Sequence, residues 1–212
     1  MSGLLIGLTG GIGTGKSRVS DLLAELGAAV ECSDLIVREL QRPGGDGLEA
    51  IRAEFGDAYL TVEGELDRPK LGALVFEDAE ARTRLNGLIH PLVMRELRDR
   101  SAAHLARGIQ VAVVDIPLLL EGRKAGHGSG AELPFDEIVV VYATEDQQLQ
   151  RVMARDGLDE AAARARIGAQ MSIEEKRRFP GVVVVDNTGD WAKTEARVRE
   201  LYAGWVARAL AS

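Results

Sequence analysis

Gly10, Gly15, Lys16 and Ser17 satisfy the spacing G-x-x-x-x-G-K-[ST] within GLTGGIGTGKS, residues 7–17. That pattern describes a loop for holding phosphate. Successive backbone N–H groups must point inward at phosphate oxygens, and side chains at the glycine positions would block the approach. Lys16 then bridges the terminal phosphates, the Ser17 hydroxyl ligates Mg²⁺, and the positive end of the following helix faces the anion. A dinucleotide fingerprint is the rival reading of Gly11-Ile12-Gly13, but its third glycine would fall on Lys16. Lys16 itself reads as a mostly exposed loop side chain that contributes little to the core.

Other charged residues are candidates to act on a phosphate held there. Asp34 follows an apolar run, at the strand edge where ligands of open α/β sheets bind. It suits orienting an acceptor hydroxyl and taking its proton, and equally the capping of a helix over residues 35–40; the residues alone leave both open. Asp115 ends another run, in VVDIPLLLEG, and suits a Mg²⁺-bound water across from Ser17, with Glu121 a weaker candidate in the same loop. Arg151 and Arg155, four apart, share one helix face and either reach the same side of a triphosphate or form a solvated face with Asp156 as partner. His90, before Pro91, reads as a helix-boundary packing residue, and His127 in GHGSG as part of a flexible loop. Cys32 and the three histidines show no zinc-ligand spacing. Guanine nucleotide is disfavoured, because Asp115 is followed by Ile-Pro-Leu and VDNTGD lacks the lysine and downstream aspartate of guanine recognition. Adenine nucleotide is the better fit.

These groups need a scaffold, and the hydrophobic pattern supplies one. Leu4-Leu5-Ile6 reads as a buried strand feeding the loop, and Val19, Leu22, Leu23 and Leu26 after it recur at helical spacing up to Gly27. Four more apolar runs, residues 28–32, 109–114, 138–143 and 182–185, are short, valine-rich and not alternating, as suits a parallel sheet covered on both faces. A long stretch of helical periodicity, residues 41–108, is too long for a simple crossover and reads as a helical insertion, with elements over 48–55, from Asp67-Arg68-Pro69, and a pair around His90-Pro91. Thr144 and Gln147 form a capping box for a helix through Arg155, a second helix spans 160–170, and the pair suits a lid over a nucleotide; a last helix runs over 191–210.

A chain of 212 residues can bury roughly 70% of its unfolded surface without metal or disulfide. The net charge of −7 offers no overall attraction to nucleic acid or an anionic membrane. With one cysteine and no apolar run of membrane-spanning length or basic leader, the expectation is a cytoplasmic protein, a monomer or weak homo-oligomer.

In that order, GLTGGIGTGKS, SDLIVREL followed by PGG, LNGLIHPLV, DIPLLLE, QLQRVMARDG and DNTG resemble the dephospho-CoA kinase family from residue 7 to 189. The resemblance implies an α/β P-loop kinase fold of three layers, with a five-stranded parallel sheet, a helical substrate-binding insert at 41–108, a core at 1–40 and 109–212, and a lid at about 145–180. It implies transfer of the γ-phosphoryl group of ATP, with Mg²⁺, to the ribose 3′-hydroxyl of dephospho-CoA. Asp34, Lys16, Arg155 and Arg151 would be catalytic. Gly11, Ile12, Gly13, Thr14, Gly15, Lys16, Ser17, Arg18 and Asn187 would hold ATP, Ser17 and Asp115 the metal, and Asp34, His90, Leu118 and Arg95 the acceptor. The residues themselves leave a nucleoside or nucleoside-monophosphate kinase and a nucleotide-switched regulatory module as alternatives.

Overall fold

The valine-rich runs form one sheet in the computed structural model, which describes residues 3–126, 130 and 132–211. Its strands are β1 (Leu4–Gly10), β2 (Ala29–Cys32), β3 (Val111–Asp115), β4 (Glu137–Tyr142) and β5 (Val182–Asp186), in the order β2-β3-β1-β4-β5. β1 runs parallel to β3, with Leu4 opposite Val111, and to β4, with Ile6 opposite Glu137; β4 runs parallel to β5. Every residue of β3 is buried, which is why the run does not alternate.

The two faces are covered by different helices. Leu4, Ile6 and Leu8 join Val111, Val113, Val139 and Val141 in a core with Leu22 and Leu23 of α1 (Lys16–Glu25) and with Val198 and Trp205 of α10 (Trp191–Ala211). On the other face a Cβ at Gly7 would stand 2.9 Å from Leu119 of α6 (Leu119–Ala125), and α9 (Ile173–Arg177) lies against β4 and β5. Three layers result. β1 sits at the centre of the sheet, so the loop that leaves it at Gly10 emerges from a strand paired on both edges.

Local signals set the helix ends. The capping box at α7 (Glu145–Asp156) forms, with Thr144 Oγ1 accepting from Gln147 N at 3.3 Å and Gln147 Oε1 from Thr144 N at 3.2 Å. Asp159 caps α8 (Glu160–Gly168) by accepting from Ala162 N at 2.8 Å. The third short helix of this segment, α9, was not expected. α6 also occupies the start of a stretch that reads as loop, and His127 lies outside the described residues.

The chain divides into two compact units, one reaching Glu31 and resuming at Arg100, the other Cys32–Asp99. The sequence reading put this division at 41 and 108; α2 (Ser33–Leu40) instead belongs with the second unit, alongside α3 (Asp46–Phe55), α4 (Arg68–Glu77) and most of α5 (Ala79–Ala106). α2 packs on α3, and Ile36, Leu48, Ile51, Val93 and Leu97 are among the buried side chains of this unit. The helix pair expected around His90-Pro91 is one helix of 28 residues with Pro91 inside it. Pro91 removes the N–H that would bond the Gly87 carbonyl, but Gly87 is exposed, so water can serve that carbonyl and the helix continues. A small antiparallel bridge, Leu60 with Leu66, also departs from the all-helical expectation.

Candidate active site

The phosphate loop is shaped by two left-handed glycines and by what presses on them. Gly13 has φ 77° and Gly15 φ 89°, a region that favours glycine. A Cβ at Gly13 would meet the Gln148 backbone oxygen at 2.8 Å, and one at Gly15 would collide with Asn187 Nδ2. Thr14 between them is fully buried, its hydroxyl donating to the Gly11 carbonyl at 2.8 Å. Gly15 is the N-cap of α1 and no side chain caps that helix, so its leading N–H groups keep their capacity for an anion at the helix end.

Lys16 is not the exposed side chain expected of it. Its side chain is 15% exposed and its ammonium is bound to Asp115, itself 3% exposed at the last position of β3. The pairing places the loop lysine and the strand-end aspartate together. Ser17 is exposed in the first turn of α1. Its hydroxyl and the Asp115 carboxylate are hard oxygen donors of the kind Mg²⁺ takes. The described residues hold no group of three or more His, Cys, Asp or Glu that could hold a metal ion.

The two arginines of α7 part company. Arg151 donates to the carbonyls of Gly13 at 3.2 Å, Thr14 at 3.4 Å and Asn187 at 3.1 Å, so it ties the phosphate loop to the turn after β5. Arg155 turns outward and makes two hydrogen bonds to Asp156, at 2.7 and 3.0 Å. That contact holds the Asp156 carboxyl below the usual range and raises the guanidinium further. Asn187 is buried against the loop, Nδ2 donating to the Thr14 carbonyl at 2.8 Å while Oδ1 accepts from Thr194 at 3.2 Å. Arg18 lies 3.8 Å over the Trp191 ring. Ile12 packs on the α7–α8 pair with Leu149 and Val152, and its N–H donates to Gln170 Oε1 at 3.0 Å.

The acceptor-side residues are placed within their own units. Leu118, at the head of α6 in the first unit, is 48% exposed. In the second unit His90 is half-buried in α5, and Arg95 pairs with Asp46 at 2.8 Å. Arg68, Lys70 and Arg84 are engaged by Gln41, the Ala58 carbonyl and Glu54, whereas Arg82 and Arg98 are exposed with no partner among the described residues. Asp34 occupies the first turn of α2, where Cys32 is the N-cap, and no side chain makes a cap hydrogen bond. The capping role is therefore not the one Asp34 fills. Its exposed carboxylate, without a partner among the described residues, sits at the positive end of a helix.

Sequence reasoning missed Lys176. In SIEEKRR it looks like one more charge on a surface helix, yet its side chain is fully buried. Its ammonium lies 2.9 Å from Glu121 Oε1 and 2.8 Å from the Pro117 carbonyl, and burial pushes it below the ordinary lysine value. The one available signal was its place three residues after Ile173, the buried apolar residue of α9. Glu121 is thereby committed to Lys176 and to Met171 N, at 2.9 Å, rather than to a metal.

A profile of the dephospho-CoA kinase family matches residues 4–193. The dephospho-CoA kinase of Aromatoleum aromaticum is 46% identical over 208 residues, 98% of this chain and 97% of that one. That of Geobacter sulfurreducens is 43% identical over 200 residues, covering 94% and 97%. Among solved structures, a Thermus thermophilus protein 33% identical in sequence matches with a TM-score of 0.76 over 96% of this chain and 98% of its own. Campylobacter jejuni dephospho-CoA kinase, at 23% identity and TM-score 0.63 (95% and 96% covered), and Acinetobacter baumannii shikimate kinase, at 16% and 0.50 (97% and 94%), share the fold.

Proposed function

The chain belongs to the dephospho-CoA kinase family, and from that premise we propose how its residues divide the work of the reaction. The enzyme transfers the γ-phosphoryl group of ATP to the ribose 3′-hydroxyl of dephospho-CoA, giving CoA and ADP, the last step of coenzyme A biosynthesis. The loop N–H groups of residues 11–17 and the Lys16 ammonium hold the phosphates. Ser17 and Asp115 would hold Mg²⁺, which when bound would supply positive charge to offset that of the phosphates. Asp34 orients the 3′-hydroxyl and takes its proton. Because the transition state is loose and most of the catalysis is positioning plus charge stabilisation, the arginines matter more than any covalent step. Arg151 keeps the loop in shape, and Arg155 leaves Asp156 to meet the transferring group.

Arg18 and Asn187 border the adenine side, and Leu118, His90 and Arg95 contact the acceptor. The protein works in the cytoplasm as a monomer or weak homo-oligomer, a placement supported by its single cysteine. The observation that carries this reading is the union of an uncapped helix end, two left-handed loop glycines and a lysine paired to a strand-end aspartate. An acceptor screen coupled to ADP release tests it. Dephospho-CoA should be turned over far faster than AMP, adenosine or water; preference for AMP would move the chain to the nucleotide-kinase reading.

A further inference from the structure

Lys176 has no place in the roles just assigned, yet its burial is hard to explain as packing. An ammonium removed from water costs more than an apolar side chain of similar volume at the same place. The partners it has are informative. Besides Glu121 Oε1 and the Pro117 carbonyl, the Gly10 carbonyl lies 3.5 Å from Nζ. Gly10 is the last residue of β1 and the first of the loop motif; Pro117 comes two residues after Asp115, the partner of Lys16. The Thr9 hydroxyl donates to that same Pro117 carbonyl at 3.1 Å. Glu121 Oε1 also accepts from Met171 N, and the neighbouring Gln170 accepts from Ile12 N in the loop.

We propose that Lys176 is a positioning residue for phosphoryl transfer: its ammonium clamps the ends of β1 and β3, and so the Lys16–Asp115 pair above them, to Glu121 and the segment that follows α8. Among the described residues Glu121 Oε2 is buried with no hydrogen-bond partner, so the carboxylate is held through Oε1 alone, by Lys176 and Met171 N. The lysine therefore fixes two carbonyls, a carboxylate and, through it, a backbone N–H. An uncharged side chain of the same length fills the space and fixes none of them.

The inference rests on the kinase reading, and the test separates the two. Parental enzyme, Lys176→Met, Glu121→Gln and the double variant Lys176→Met/Glu121→Met are assayed with ATP, Mg²⁺ and dephospho-CoA, with Tm measured for each. A parental enzyme without transfer activity overturns the kinase reading itself. With an active parent, Lys176→Met and the double variant should lose about 10–100-fold in kcat, the range in which small misplacements of reacting groups act, with KM for dephospho-CoA within about twofold. The double variant leaves no charge unpaired and should keep its Tm. Glu121→Gln retains an acceptor oxygen for Lys176 and should lose only about threefold in kcat. A folded double variant with parental kcat, kcat losses that merely track Tm, or a double variant that does not fold would each make Lys176 a folding strut and overturn the proposal.

Discussion

Replacing Arg151 with methionine tests whether this arginine shapes the phosphate loop. The side chain is half-buried and reaches three carbonyls, those of Gly13, Thr14 and Asn187, at 3.1–3.4 Å. Thr14 keeps a second donor in Asn187 Nδ2, so the loss falls on the other two carbonyls. Hydrogen bonds from a charged donor contribute about 1.5–3 kcal/mol net, and these are long, so about 2 kcal/mol is expected for the guanidinium as a whole. For a chain of this size that lowers Tm by about 4–8 °C. KM for ATP should rise, because Gly13 and Thr14 lose one of the groups that hold the loop against the turn after β5. Arg155→Met is the control: its 61%-exposed side chain pairs with Asp156 on the surface, which is worth no more than about 1 kcal/mol. Its kcat should nonetheless fall, by up to about 10³–10⁵ if it meets the transferring phosphoryl group. Scanning calorimetry and initial rates on both variants decide it. An Arg151 variant with parental Tm and parental KM for ATP would refute the reasoning.

Asp34→Asn should lower turnover by about 10²–10⁴ while changing stability by under about 1 kcal/mol, since Asp34 makes no cap hydrogen bond; a Tm loss large enough to account for the activity loss would return it to a structural role. Lys16→Ala should abolish transfer and also cost about 1–3 kcal/mol, because a buried Asp115 loses its ammonium partner; a variant of parental turnover would remove Lys16 from the chemistry. Lys176 has a pH signature. Burial lowers its folded-state value, with the Lys16 charge acting the same way and Glu121 opposing, so the unfolded chain holds the proton more tightly. Parental stability should therefore gain on Lys176→Met as pH rises from that lowered value toward the lysine value of about 10.4. A Tm difference between the two that is flat across this window would contradict it.

The sheet and the phosphate loop were legible because each carries a local signal. Valine runs of strand length announce a two-sided sheet, and Gly13 and Gly15 stand where the backbone turns left-handed. The capping boundary of α7 was equally local. What escaped depended on contacts distant in the chain. Nothing near Arg151 says that it reaches back 138 residues to Gly13, whereas Arg155 takes the neighbouring Asp156 that the sequence offered to either arginine. Lys176 differs from Arg177 and Arg178 only in facing the sheet, which a five-residue helix is too short to announce. Pro91 read as a boundary because proline removes a helix hydrogen bond, but an exposed Gly87 carbonyl tolerates the loss. Lys16 read as exposed because the aspartate that covers it lies 99 residues on.

The most direct measurement is the identity of the phosphorylated atom. Purified protein incubated with Mg²⁺, ATP and dephospho-CoA should give a product heavier by one phosphoryl group, with ³¹P and ¹H NMR placing the new phosphomonoester on the ribose 3′-oxygen, and ADP formed in equal amount. A phosphoryl group on any other atom, or ATP hydrolysed to ADP with dephospho-CoA unchanged, would contradict the account.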